Sequence, residues 1–242
     1  MRIMISMIVL CTMAGLVSAG EFEQDTIATE KGDLIITFIG HGTLMFGYNG
    51  QIIHIDPVER YADYKLLPKA DIILVTHHHG DHLDPAAIAL LRKPGTVVIE
   101  SEMCARQGVD GIVMKNGDER VVSGIRIKAV PAYNIVHKRE NGEPFHPKGT
   151  GNGYVLYLPG FSVYIAGDTE NIPEMKEIEG VDCAFLPMNL PYTMTPAMVA
   201  DAVEMLKPGI LYPYHFGETD TGELARLLSN KKSPELRIRN MK

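Results

Sequence analysis

The chain has 242 residues, 45% of them hydrophobic, and a formal net charge of −7 at pH 7. This is the composition of an ordinary globular protein, long enough for one sizeable domain and too short for two large ones. The acidic balance argues against a nucleic-acid partner, because nucleic-acid-binding surfaces are basic.

The N-terminal residues predict a secretory signal peptide. One positive charge at Arg2 precedes an uncharged apolar stretch at 3–17 and small residues at 18–20. We predict cleavage after Ala19, which leaves residues 20–242 as a single domain, periplasmic or secreted, without an integral membrane segment. An uncleaved anchor and a lipid attached to Cys11 are the alternatives.

After cleavage Cys104 and Cys183 remain. One disulfide between them is possible, but the apolar run around Cys183 favours a buried free thiol.

Strands alternate with short helices along the rest of the chain. The predicted strands are residues 34–39, 43–48, 51–55, 72–75, 96–99, 121–122, 125–130, 154–158, 162–165, 182–187 and 210–214. The predicted helices are residues 85–91, 196–206 and 222–228, the first two beginning with a proline after Asp84 and Thr195. Hairpins mixed with strand–helix units predict an α/β fold with two packed sheets and helices outside them.

Potential metal ligands are concentrated directly after the strand at 72–75, in the sequence Thr-His-His-His-Gly-Asp-His at 76–82. In an extended chain residues i and i+2 point the same way, so His77 and His79 can bind one ion while the histidine between them points elsewhere. Gly80 is expected to let the backbone turn sharply, so that Asp81 and His82 reach a second position nearby. Imidazole and carboxylate ligands suit zinc, with manganese or iron as substitutes.

The pattern His-x-His-x-Asp-His after an apolar strand resembles the metallo-β-lactamase fold hydrolases. Further segments resemble the lactonase-like and phospholipase-D-like branch of that superfamily, at residues 38–43, 53–57, 164–169 and 211–216. The similarity covers about residues 33–229. It implies a four-layer αββα sandwich with the metal site at one end of the sheets.

The resemblance also implies roles for residues far from the histidine cluster. Asp168 is expected to bridge two metals through its carboxylate, and His215 to complete the second metal site. Relatives commonly have a histidine where this chain has Asn134, a weak zinc ligand. His146, just before the strand at 154–158, is the favoured substitute. His137 and a site without a third histidine are the alternatives.

Several other residues are expected around the metals. His41 and Asp56 are predicted to orient the ligands through hydrogen bonds, although simple turn chemistry would also explain them. Tyr192 and Lys148 are predicted substrate contacts, with packing and solvent exposure as the alternatives. Asp81 and Asp168 are expected to orient the attacking water.

These features predict a hydrolase with two zinc ions that uses metal-bound hydroxide on a lactone, ester, amide or phosphodiester of small size. No protein nucleophile is expected, because the chain has no Gly-x-Ser-x-Gly elbow and no cysteine in a basic or metal-binding motif. The alternatives are an iron-containing oxidoreductase on the same scaffold and a non-catalytic metal-binding module.

Overall fold

In the computed structural model, which describes residues 22–241, the chain forms two seven-stranded sheets. The signal peptide predicted at residues 1–19 lies outside the described residues and stays a prediction. The first sheet contains β1 (Glu23–Thr29), β2 (Gly32–Gly40), β3 (Thr43–Tyr48), β4 (Gln51–Ile55), β5 (Ile72–Leu74), β6 (Val97–Glu100) and β7 (Ile112–Val113). The second contains β8 (Glu119–Val122), β9 (Ile125–Ala132), β10 (Gly151–Leu158), β11 (Phe161–Ile165), β12 (Cys183–Pro187), β13 (Ile210–Tyr214) and β14 (Glu235–Leu236).

Both sheets follow the same plan. Strands β1 to β4 are antiparallel, and β4 to β7 are parallel. Strands β8 to β11 are likewise antiparallel, and β11 to β14 are parallel. The predicted hairpin between β3 and β4 turns at Asn49 and Gly50, whose φ angles of 49° and 76° suit a tight two-residue loop. The parallel halves matter for function, because the carboxyl ends of parallel strands meet at one edge of a sheet.

In the described part of the chain, four α-helices accompany the sheets, namely α1 (Pro85–Leu91), α2 (Glu102–Ala105), α3 (Pro196–Leu206) and α4 (Thr221–Leu228), with a 3₁₀-helix at Pro173–Ile178. The side chain of Asp84 caps α1 by accepting from two backbone N–H groups, and the Thr195 hydroxyl caps α3 by accepting from the backbone N–H of Met198. These caps confirm the helix starts predicted from the sequence. Helix α4 begins at Thr221, one residue before the predicted start, because Asp220 caps it.

The hydrophobic core has two parts that fit the predicted αββα order. The larger part joins the facing sides of both sheets to buried residues of α3 and α4. The smaller part lies between the first sheet and helices α1 and α2. Cys104 belongs to the smaller part and Cys183 to the larger, and both are buried free thiols. None of the helices within residues 22–241 is long and apolar enough to cross a membrane.

Candidate metal centre

The predicted ligands meet at one end of the two sheets. Residues 77–82 follow β5 of the first sheet, whereas Asp168 follows β11 and His215 follows β13 of the second. His146 lies in the long connection between β9 and β10. Each sheet therefore contributes side chains to the same site, and all but His146 come from loops at the carboxyl ends of parallel strands.

One group of ligand atoms consists of three histidines. His77, His79 and His146 each place a ring nitrogen within 4.8 Å of the others. The Nε2 atom of His77 lies 3.1 Å from Nδ1 of His79. Burial and, to a smaller extent, the charges of neighbouring histidines lower the pKa of His79 to about 4 and that of His77 well below its ordinary value. Both rings are neutral at pH 7, the form in which a histidine binds metal.

A second group combines a carboxylate with histidines. Asp81, His82 and His215 bring their ligand atoms within 4.8 Å of one another, together with His41. The Nε2 atom of His215 lies 3.6 Å from Oδ2 of Asp81, and that of His82 lies 3.9 Å from the same oxygen. Burial alone would raise the pKa of Asp81, but the neighbouring His215, the hydrogen bond from His41 and the charge of His82 lower it below the ordinary value. This carboxylate is ionised at neutral pH.

The carboxylate of Asp168 lies between the two groups. Its Oδ2 is 3.2 Å from Nε2 of His146 and 3.6 Å from Nε2 of His215, and its Oδ1 is 3.4 Å from Nε2 of His82. Burial would raise the pKa of Asp168, but the surrounding histidines hold it well below its usual range. A buried carboxylate that contacts both groups has the geometry of a bridging ligand.

Asp56 fixes the orientation of His82 from behind. It is fully buried, and its Oδ2 lies 2.8 Å from Nδ1 of His82. The backbone N–H and hydroxyl of Thr76 donate to the same carboxylate at 2.7 Å each. With Nδ1 bound to Asp56, the Nε2 atom of His82 points into the site, which is the supporting contact expected from the sequence.

The donor set fits a metal ion. Nε2 of His82, Nε2 of His215 and Oδ1 of Asp168 are buried and have no hydrogen-bond partner within the described residues. Buried polar atoms without a partner are costly, and here they converge on the same space. Burial lowers the pKa of His82, but Asp168 and Asp56 raise it to about 9. At neutral pH a proton on His82 therefore balances the negative charge of Asp168 and Asp56, as a bound metal cation would.

Backbone conformation adds to the evidence for a site. His41, Asp56 and His215 have φ angles of 54°, 46° and 48°, which residues other than glycine adopt rarely. Such strained positions cluster at functional sites. Gly42, which the sequence interpretation did not single out, has a packing reason to be glycine, because a Cβ atom there would lie 2.6 Å from Cε1 of His82.

The structure separates the candidates for the third histidine of the first group. His146 is buried and joins His77 and His79, whereas His137 lies on the loop with its Nδ1 2.8 Å from Oε1 of Glu170. Asn134 supports His146 from outside the group of ligand atoms. Its Oδ1 accepts from the backbone N–H of His146 at 3.0 Å and lies 2.7 Å from Nδ1 of that ring.

Other predicted site residues lie around a cavity of about 540 Å³ in front of the two groups. Tyr192 and His41 line it, and Nε2 of His41 lies 3.3 Å from Oδ2 of Asp81. Lys148 is not among the lining residues, because its ammonium group pairs with Glu174 at 2.6 Å. Gly80 also lines the cavity and lies in a turn, as expected, in which the backbone N–H groups of His82 and Leu83 donate to the carbonyl of His79. Its φ is not positive, so the turn itself does not require a glycine.

Sequence comparison places this geometry in a family. Residues 35–215 match the model of the beta-lactamase superfamily domain. The chain belongs to this superfamily. A UPF0173 metal-dependent hydrolase from Pelotomaculum thermopropionicum is 31% identical over 219 residues, which cover 84% of this chain and 95% of the relative. The prediction of a metal-dependent hydrolase of the metallo-β-lactamase superfamily is confirmed at this level.

Solved structures agree with the fold. A candidate metal-dependent hydrolase from Parabacteroides distasonis is 48% identical with a TM-score of 0.87, covering 91% of this chain and all of the other. CmlA, a diiron β-hydroxylase from Streptomyces venezuelae, shares the fold at 18% identity with a TM-score of 0.67, covering 86% of this chain and 53% of its own. The predicted fold class is confirmed.

Proposed function

We propose that this protein is a hydrolase with two metal ions, best matched by zinc, that acts on a small lactone, ester, amide or phosphodiester. The observation that carries the proposal is the position of Asp168, whose carboxylate lies 3.2 Å from His146 of the first group and 3.4 to 3.6 Å from His82 and His215 of the second. Histidine nitrogens and carboxylate oxygens in this proportion suit zinc, with manganese or iron as substitutes.

The two groups define the proposed coordination. The first ion would be bound by His77, His79 and His146, and the second by Asp81, His82 and His215, with Asp168 shared. When bound, the two ions lower the pKa of a coordinated water and polarise the electrophilic centre of the substrate. The chain's own residues then have to orient that water and handle its proton.

Asp81 and His41 are placed for those tasks. The carboxylate of Asp81 is 36% exposed and lines the cavity, so it can accept a hydrogen bond from the attacking water. His41 lies beside it, with Nε2 at 3.3 Å from Oδ2 of Asp81. Because Nε2 of His41 donates to this ionised carboxylate, we infer that His41 orients Asp81 and that Asp81 takes up the proton that the water loses.

A cysteine nucleophile does not fit the structure. Burial raises the pKa of the Cys104 thiol to about 11, and that of Cys183 further. Neither thiol forms appreciable thiolate at neutral pH, and neither lines the cavity. The proposed reaction therefore transfers the acyl or phosphoryl group directly to water.

The proposal is tested by metal analysis and turnover of the purified mature protein. We expect about two zinc ions per chain and hydrolysis of at least one member of a panel of lactones, aryl esters and phosphodiesters. Asp168→Ala should lose most of the metal and the turnover, whereas Asp33→Ala, at an exposed aspartate of β2, should retain both. Unchanged turnover in Asp168→Ala would refute the bridging role.

The same measurements discriminate the other hypotheses. Iron in place of zinc would favour the oxidoreductase, and full metal content without any turnover would favour a binding module. Export of the mature chain to the periplasm or the medium is also part of the proposal. It rests on the predicted signal peptide alone.

A further inference from the structure

We propose that the cavity in front of the metal centre selects molecules with an anionic group, which Arg60 and Arg139 bind. The inference rests on the proposed function in one respect, because the bound molecule is a substrate only if the protein is a hydrolase. The two arginines line the cavity together with Asp81 and Asp168, so the guanidinium groups and the candidate metal ligands face the same space. A volume of about 540 Å³ suits a small organic molecule.

Neither cavity arginine pairs with a carboxylate of the described residues. Within residues 22–241, no carboxylate lies within 4.0 Å of the guanidinium nitrogens of Arg60 or Arg139. Five other arginines do form such ion pairs, namely Arg106, Arg126, Arg226, Arg237 and Arg239. Asp81 and Asp168 are the carboxylates on the cavity wall, and both contact histidines of the metal centre. The positive charge of the arginines is therefore available to a ligand.

Arg139 is held in position by its neighbours. Its backbone N–H donates to the carbonyl of Glu143 at 2.8 Å, and one guanidinium nitrogen donates to the carbonyl of Phe145 at 3.3 Å. The guanidinium carbon also lies 5.1 Å from the centre of the Phe145 ring. Since Phe145 directly precedes His146, the charge of Arg139 is fixed beside the first ligand group.

Arg60 approaches the cavity from the other half of the molecule. It lies in the connection after β4 of the first sheet, whereas Arg139 lies between β9 and β10 of the second. The Arg60 side chain interacts with the hydroxyl of Tyr61, and the Tyr61 ring stacks on His41 with centroids 5.4 Å apart. The two cations therefore reach the same cavity from different sheets, on either side of the ligand groups.

The chemistry of the wall indicates the rest of the ligand. Guanidinium groups form paired hydrogen bonds with planar carboxylates and with phosphates, which neutral amides and alcohols cannot match. Phe145 and Tyr192 provide an aromatic edge-to-face pair with centroids 5.1 Å apart on the same wall. A ligand with a carboxylate or phosphate and an apolar or aromatic part would satisfy both features.

The experiment measures binding rather than turnover, so that it does not depend on the proposed reaction. The probe is phenylphosphonate, which carries an anionic group and a ring and has a P–C bond that hydrolysis does not cleave. Its dissociation constant is measured by calorimetric titration of the metal-containing protein and of the Arg60→Gln and Arg139→Gln variants. Arg120→Gln is the matched control, because Arg120 is exposed, lies on β8 and forms no ion pair within the described residues.

We expect each cavity variant to bind phenylphosphonate roughly ten-fold more weakly, the scale of one charge-assisted hydrogen bond. The control should stay within about two-fold of the original protein by the same conversion. Diethyl phenylphosphonate, the neutral ester, should bind equally to all four proteins. Equal affinity of the anion for the cavity variants and the control would overturn the proposal, since the metals alone would then bind it.

The outcome is separable from that of the proposed function. A loss of anion binding in the arginine variants, in a protein that hydrolyses nothing, would support the anion site and refute the hydrolase. Hydrolysis by the original protein, together with unchanged anion binding in both arginine variants, would support the hydrolase and refute the anion site. Thermal unfolding of each variant checks that the fold is intact before the affinities are compared.

Discussion

Asn134 illustrates at the residue scale how one side chain sets the direction of a ligand. Its amide oxygen lies 2.7 Å from Nδ1 of His146, so Nδ1 donates and Nε2 is left free to face the site. The Nδ2 atom of Asn134 donates in turn to Glu170 at 3.0 Å, which fixes the amide orientation. Asn134, which stands where relatives commonly have a histidine, therefore orients the ring of His146 through a hydrogen bond.

Removal of His146 should cost more metal than removal of His137. His146→Ala deletes a member of the three-histidine group, whereas His137→Ala deletes a ring bound to Glu170 on the loop. We expect His146→Ala to weaken zinc binding roughly 10- to 100-fold or more, the range known for residues that support a metal. Competition with a chelating dye measures it. The reverse order of the two variants would reject His146 as the ligand.

Glu100 should make stability depend on pH outside the metal centre. Burial raises its pKa from 4.5 to about 7, partly opposed by the nearby Gly111 backbone and by the charge of Arg92. Between these pH values the unfolded chain has already released the proton that the folded chain keeps, so the free energy of unfolding falls as pH rises. Well above pH 7 Glu100 is ionised in both the folded and the unfolded chain, and its titration lowers the free energy of unfolding no further.

Glu100→Gln should therefore be more stable than the original protein at pH 8, with the difference shrinking towards pH 5. Urea unfolding at both pH values measures it. Glu102→Gln serves as the control, because Glu102 is exposed in the neighbouring helix and pairs with Arg106. A stability difference of the same size at both pH values would show that the titration of Glu100 is not the cause.

The residues of the site could be predicted to different degrees. Those at 77–82 are contiguous, so their spacing alone predicts that they converge. The direction of Asn134 and the close approach of Gly42 to His82 depend on contacts between segments far apart in the chain. A single sequence carries no signal for such contacts, and neither residue type is distinctive by itself.

At the scale of elements, one buried carboxylate holds the loop that carries His146. Glu170 accepts from the backbone N–H groups of Ile135, Val136 and His137 at 2.7 Å each. Together with its bond to the Asn134 amide, these contacts fold the first turn of the connection between β9 and β10 around a single side chain. The position of the loop then depends on the charge of that carboxylate.

Glu170→Gln should loosen this turn, because an amide offers the three N–H groups one weaker acceptor atom and one repelling NH₂ group. We expect hydrogen exchange of the three backbone amides to accelerate roughly 10- to 100-fold, the equivalent of a hydrogen bond to a charged group. Glu174→Gln, which removes an ion pair with Lys148 nearby, should leave those amides protected. Equal protection in both variants would show that the turn does not need Glu170.

The sequence interpretation missed α2 and the 3₁₀-helix, neither of which has a side-chain cap, and the edge strands β1, β7 and β14. Strand β1 has mostly exposed residues, and β14 is two residues long. Both lie at sheet edges, where half of the hydrogen-bonding groups face no partner strand. Their existence depends on pairing with a neighbour rather than on their own hydrophobic pattern. The buried strands and the capped helices carry such patterns, and those were predicted correctly.

At the scale of the whole molecule, the metal centre joins the two halves of the sandwich. The first sheet supplies the ligands at 77–82, and the second supplies His146, Asp168 and His215. Buried polar atoms without partners on both sides of this boundary destabilise the metal-free fold. Bound ions would satisfy them and connect the sheets, so metal binding and folding should be coupled.

Removal of the metal should therefore lower the thermal stability of the whole chain. A ligand present at about a thousand times its dissociation constant stabilises the folded state by about 4 kcal/mol, which for a chain of this length shifts the melting temperature by about 10 °C. We expect calorimetry to show such a drop after chelation, with recovery when zinc is added. Asp168→Ala should respond far less to chelation, because it binds less metal at the start. An unchanged melting temperature in the original protein would mean that the packing between the sheets, rather than the metal, decides how the two halves stay together.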